Sequence, residues 1–133
     1  MAEIHTRLSG PVIDCDDDAV GMAQFYATIL GWRIADQAPK GGWAVIKSPD
    51  DNHKIEFQGL SDYQRPAWPN ADEKQQMMMH LDIAVEDIDA AVEWAVGLGA
   101  TVADHQPRPL SHRVMLDPAG HPFCLFRGRV DNA

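Results

Sequence analysis

Two periods of hydrophobic spacing run through the chain, and the switches between them mark out its elements. Ala19, Met22, Tyr26 and Ile29 lie three or four residues apart, and so do Ile88, Ala91, Ala95 and Leu98. That spacing predicts two amphipathic helices. Around them lie short runs rich in β-branched and aromatic residues, bounded by Pro, Gly and Asp, which predict strands. In the first half these are residues 10–15 before the helix and 32–35, 43–47 and 53–58 after it. In the second half they are 78–85, then 100–103, 112–116 and 121–126. Within 78–85, Leu81, Ile83 and Val85 form one apolar face, which places His80, Asp82 and Ala84 on the other.

The two halves repeat each other. Each helix segment has an acidic start (Asp18, Asp87), an aromatic residue seven positions on (Phe25, Trp94) and a Leu-Gly stop (Leu30-Gly31, Leu98-Gly99). Aspartate at the start caps free N–H groups, and glycine at the end suits a left-handed turn. The hairpin turns Ser48-Pro49-Asp50-Asp51-Asn52 and Asp117-Pro118-Ala119-Gly120 precede the last strand of each half. The offset from Asp18 to Asp87 agrees within one residue with that from His53 to His121. Markers at both ends of the segment therefore keep step, and the order strand–helix–strand–strand–strand occurs twice. The predicted architecture is α+β, with two tandem βαβββ modules at about residues 8–58 and 78–128 in a single domain spanning 1–133. The segment 59–77 is read as a linker. Its Pro66-Ala67-Trp68-Pro69 stretch favours extended backbone, and Trp68 either packs on a sheet or lines a ligand mouth.

Composition narrows the function more than the fold. At 133 residues with 45% hydrophobic positions, the chain is long enough for a real core. Its net charge of −9 repels phosphate backbones and anionic lipid, so neither nucleic acid nor membrane is an expected partner. No apolar run is long enough to span a bilayer, and the N-terminus lacks a basic stretch followed by an apolar one. Cys15 and Cys124 are too few for a disulfide scaffold, and the expected compartment is the cytoplasm. A phosphate-cradling glycine loop, a nucleophile elbow and a C-x-x-C pair are all absent from the sequence.

The doubled order, together with Phe25-Tyr26…Leu30-Gly31-Trp32, His80-Leu81-Asp82 followed by Asp87, and the Asp117–Phe123 hairpin, resembles the vicinal oxygen chelate superfamily of glyoxalases, bleomycin-resistance proteins and dioxygenases. The resemblance covers roughly residues 8 to 127. It implies a cup-shaped mixed sheet with helices on the outside, a small-molecule ligand, and a homodimer. It also implies metal ligands on the first and last strands of each module. His80 and Glu56 match two of those positions and are the candidate catalytic and metal-binding residues. Cys124 stands where the second module's glutamate is expected. In the first module the corresponding first-strand position falls on Gly10 or Pro11, and side-chain parity favours Gly10.

The family's ligand set is thus incomplete, and the implied cofactor is either none or a divalent metal. Cys124 as thiolate, or Asp82, is a candidate third ligand. The plainer readings are a hydrogen-bonded His80, a Glu56 paired with Lys54 or with a neighbouring strand, and a Cys124 acting as a small hydrophobe. Trp43, Trp68, Asp82, His112, Cys124 and Phe126 are candidate ligand-binding residues. His53 and His121 belong to hairpins and read as turn residues. Met77-Met78-Met79 reads as core or rim. The leading expectation is a small-molecule-binding module. The alternatives are a metal-dependent lyase or isomerase of the glyoxalase I type using Glu56 and His80, an extradiol dioxygenase, and a protein-interaction domain.

Overall fold

The computed structural model describes residues 4–130 and divides into two compact units, Met1–Ser61 and Asp62–Ala133. The first unit contains β1 (Val12–Cys15), α1 (Ala19–Leu30), β2 (Arg33–Gln37), β3 (Trp43–Lys47) and β4 (Lys54–Gly59). The second contains β5 (Leu81–Val85), α2 (Ile88–Gly97), β6 (Thr101–Val102), β7 (His112–Leu116) and β8 (Pro122–Arg127). Each unit builds one four-stranded mixed sheet, in the orders β1-β4-β3-β2 and β5-β8-β7-β6. The first strand of each pairs with the last in parallel, and the other pairings are antiparallel. This is the doubled βαβββ order that the sequence predicts.

The local signals that start and stop the helices work as chemistry requires. The Asp18 carboxylate accepts from the Gly21 N–H at 2.9 Å, and the Asp87 carboxylate from the Ala90 N–H at 3.1 Å, so each satisfies a donor that its helix leaves free. At the other end, Gly31 and Gly99 sit at φ of 70° and 116°. The residue after each glycine donates five positions back, Trp32 to Ala27 at 2.8 Å and Ala100 to Ala95 at 3.0 Å. A β-carbon disfavours that left-handed backbone, so glycine at these stops turns the chain back toward its sheet.

Alternation along the strands decides which face each helix covers. In the first unit Cys15, Ala44, Ile46, Ile55 and Phe57 are buried on the α1 side. Tyr26 stacks on Phe57 with ring centroids 5.6 Å apart, and Phe25 meets Tyr26 edge-on at 4.9 Å. Burying such a ring fully is worth about 1.5–3 kcal/mol. In the second unit Ile83, Met115, Phe123 and Leu125 form the corresponding layer. α2 buries only Ile88 and Ala95, and Trp94 stays about half exposed at 49%. With one isoleucine and one alanine buried, α2 covers less apolar area than α1, which buries seven residues.

Several stretches depart from the sequence expectation, and β1 begins at Val12 where a start at residue 10 is expected. β5 begins at Leu81, so residues 78–80 precede the strand, and Met78 and Met79 are more than four-fifths exposed and form no part of the core. The strand expected at 100–103 shortens to Thr101–Val102. The stretch expected to be a linker packs on the second unit. The Tyr63 hydroxyl donates to the Ala119 carbonyl at 2.6 Å, Arg65 donates to the Pro118 carbonyl at 3.2 Å, and the Trp68 indole donates to the His105 carbonyl at 3.1 Å. No helix among the described residues is long and apolar enough to cross a membrane.

Candidate functional site

Each sheet has a second face that its own helix leaves uncovered, and strand register determines what stands there. In the first unit Val12 pairs with Glu56 and Glu56 with Val45, so these three form one row across the sheet. The next row is Asp14, Gln58 and Trp43. In the second unit the corresponding rows are Asp82, Cys124 and Val114, then Ala84, Phe126 and His112. Paired residues point the same way, because side chains alternate with a strict period of two. Glu56 and Trp43 thus share the open face of one unit. Asp82, Cys124, His112 and Phe126 share that of the other. Trp68 lies outside both sheets, with its ring 5.7 Å from that of His105.

The rows also identify which positions correspond between modules. Glu56 matches Cys124 and Val12 matches Asp82, so Gly10, two residues before Val12, matches His80. Parity in the sequence points to the same residue. Gly10 sits at φ of 145°, and a Cβ placed on it would overlap the Lys54 carbonyl oxygen. A side chain is excluded there by backbone, which cannot give way as a flexible side chain can. The first module therefore has neither a donor at that corner nor room for one.

The second module is different. The His80 Nε2 lies 3.2 Å from the Asp82 Oδ1. One donor atom from each of His80, Asp82 and Cys124 lies within 4.8 Å of the other two. Asp82 lies between the other two, since strand pairing sets it beside Cys124 while its carboxylate reaches His80. Burial, and after it the negative charge of the neighbouring Asp82, push the Cys124 thiol up from its ordinary value, because each favours the protonated form. Beside this cluster the His112 ring stacks on Phe126, with centroids 5.8 Å apart and planes 20° apart. Ser111 Oγ lies 2.8 Å from His112 Nδ1 and orients the imidazole. The face therefore joins a polar corner to a flat aromatic one.

The plainer readings fare unevenly. Among the described residues, no cation lies within ion-pairing distance of Glu56, so the expected pairing with Lys54 is not formed. Cys124 is half-buried, unlike Cys15, which is fully buried and donates to the Gln58 carbonyl. His121 has a turn role, its N–H donating to the Asp117 carboxylate at 2.9 Å, and its ring also lies 3.2 Å from the Tyr63 hydroxyl. Sequence reasoning missed Tyr63, which belongs to no periodic pattern. It also passed over Asp117 as a buried anchor, although the Asp-Pro-Ala-Gly turn marks that position.

The family description "glyoxalase-like domain" matches residues 11–126 of the chain. No curated protein sequence matches it. Among solved structures, the chain is similar to a possible glyoxalase from Bacillus cereus, with 13% identity, a TM-score of 0.63, and coverage of 92% of this chain and 99% of that one. It is also similar to a glyoxalase/bleomycin resistance protein/dioxygenase family enzyme from Burkholderia phytofirmans PsJN, with 19% identity, a TM-score of 0.64, and coverage of 90% and 96%. A third is the fosfomycin resistance protein FosX from Mesorhizobium loti, with 15% identity, a TM-score of 0.63, and coverage of 96% and 95%. At these identities the solved structures support the fold alone. The match over residues 11–126, with the doubled βαβββ order and its register, places this chain in the glyoxalase-like domain family of the vicinal oxygen chelate superfamily.

Proposed function

We propose that the protein binds a small, partly aromatic molecule carrying a polar group, on the helix-free face of the second module. One observation carries this reading. The His80–Asp82–Cys124 cluster and the stacked His112–Phe126 pair occupy neighbouring positions of one sheet face. Ligand sites typically combine an apolar wall with a few well-placed polar groups. Phe126 and His112 supply the flat wall, and His80 and Asp82 supply a donor and an acceptor that orient the polar group. On the first module's open face, Trp43 and Glu56 offer the same pairing of aromatic surface and carboxylate.

A thermal-shift screen against small metabolites tests this. A ligand at a hundredfold excess over its Kd stabilises the folded state by about 2.7 kcal/mol, a rise of roughly 8–10 °C for a chain of this size. That rise should collapse in His80→Ala, Asp82→Asn and Phe126→Ala. A ligand whose shift is untouched by all three variants would place binding elsewhere.

A further inference from the structure

The second module also has a cavity on the other side of its sheet, beside the start of α2. It measures about 120 Å³ and lies between the first turn of α2, the loop before β7 and the last residue of β8. We propose that this cavity binds a small organic carboxylate, with Arg127 taking the anionic end and Ile88 and Leu110 taking the hydrocarbon. The inference goes beyond the ligand-binding reading and does not rest on it.

Strand register puts two arginines on this side. Arg113 pairs with Leu125, and Arg127 follows Leu125 by two residues along β8. Leu125 is fully buried in the layer that α2 covers. Arg113 and Arg127 therefore face the helix side, while their chain neighbours His112 and Phe126 face away from it. Both arginines line the cavity, together with Asp87 and Asp89. Three of these four charges are already engaged. The Arg113 Nε donates to the Pro109 carbonyl at 2.8 Å, and its Nη2 donates to the Asp89 carboxylate at 3.3 Å. The Asp87 carboxylate accepts from the Ala90 N–H at 3.1 Å and complements the positive end of its helix. Among the described residues, the Arg127 guanidinium has no ion pair or hydrogen bond. The one charge left over is thus a cation, in a chain whose net charge is −9.

The rest of the lining selects which anion fits. A guanidinium offers two parallel N–H bonds that match a carboxylate. The opposing wall is hydrocarbon. Ile88 is buried at its base, and Leu110 stands 91% exposed. An alkyl chain seated against both residues takes the Leu110 side chain out of water, which is favourable in proportion to the apolar area covered. A charged anchor set against an apolar wall is the usual make-up of a small-molecule site. Inorganic phosphate has no apolar part and uses only the Arg127 end. An alkylammonium ion of the same length meets Arg127 as a like charge.

The test is an NMR titration of the isotope-labelled full chain with sodium butyrate, at fixed pH and ionic strength. Acetate, inorganic phosphate and butylammonium serve as separate titrants. Butyrate should bind saturably at one site and show intermolecular NOEs to the Ile88 and Leu110 methyl groups. Arg127→Gln should weaken it about 10-fold or more, the loss expected when a hydrogen-bonded charge is removed. Butyrate should bind more tightly than acetate, by up to about fourfold for each methylene it buries. Leu110→Ser should shrink that difference and leave acetate binding as it was. Arg127 and Leu110 are both exposed, so the two variants keep the fold, and their amide spectra verify it. Four results each overturn the proposal: butyrate that does not saturate, NOEs to Phe126 in place of Ile88 and Leu110, phosphate or butylammonium binding as tightly as butyrate, or Arg127→Gln binding as the parent does. The thermal-shift screen of the other face is scored by His80→Ala, Asp82→Asn and Phe126→Ala, so either reading can fail while the other stands.

Discussion

Replacement of Asp117 tests whether one buried carboxylate holds the hairpin that carries the candidate site. Asp117 is 1% exposed. Its Oδ1 accepts from the Ala119 N–H at 2.9 Å and from the His121 N–H at 2.9 Å. The turn it anchors leads directly into β8, which bears Cys124 and Phe126. A hydrogen bond to a charged acceptor contributes about 1.5–3 kcal/mol, and a buried N–H left unpaired costs a comparable amount. Ala119 is buried, so its N–H cannot turn to water, whereas His121 is partly exposed and recovers some hydration. Asp117→Ala should therefore cost about 3–5 kcal/mol, a large share of the 5–15 kcal/mol typical of a folded domain. Asp117→Asn keeps an oxygen in the same place and should cost about 1 kcal/mol, because both donors retain an acceptor. In urea, with a slope near 2 kcal/mol/M, the alanine variant should lower the unfolding midpoint by about 2 M and the asparagine variant by about 0.5 M. Circular dichroism and tryptophan fluorescence report the midpoint. A drop of under about 0.5 M in Asp117→Ala, or equal drops in both variants, would refute the hydrogen-bond account. The first module provides an internal comparison. Ser48 occupies the matching turn, where its hydroxyl accepts from the His53 N–H at 3.0 Å and donates to Asp50 at 2.7 Å, so Ser48→Ala should cost only about 1 kcal/mol.

Further outcomes follow from the same geometry. Tyr63→Phe removes the hydroxyl bond to the Ala119 carbonyl and should cost about 1 kcal/mol in the same urea assay, whereas a segment that merely linked the modules would show no change. Gly10→Ala and Gly10→His should both destabilise, since each puts a Cβ into the Lys54 carbonyl at an unfavourable φ, so restoring the repeat's histidine should not build a site. In metal-free protein the Cys124 thiol stays protonated to higher pH than an ordinary thiol. Its alkylation rate should therefore rise through a midpoint above the ordinary value, and Asp82→Asn, which removes the neighbouring negative charge, should move that midpoint down. An unchanged midpoint in Asp82→Asn would mean that the carboxylate does not govern the thiol.

The doubled βαβββ order is legible from the sequence because its determinants are local. Asp18 and Asp87 cap by reaching N–H groups three residues away, Gly31 and Gly99 stop helices through their own φ, and alternation sorts Leu81, Ile83 and Val85 from His80, Asp82 and Ala84. The same parity identifies Gly10 as the partner of His80, and the register bears that out. Non-local consequences escape such reading. Tyr63, Arg65 and Trp68 look like linker residues until Ala119, Pro118 and His105 arrive beside them from 37 to 56 residues away. Cys124 and Asp82 read in sequence as alternative third partners to His80 and Glu56. They become one cluster only when parallel pairing of β5 with β8 sets them side by side. That a side chain is barred at Gly10 likewise depends on where the Lys54 carbonyl falls. Periodicity and capping are written in neighbouring residues, whereas the separation between donors depends on strand register, which only the folded sheet establishes.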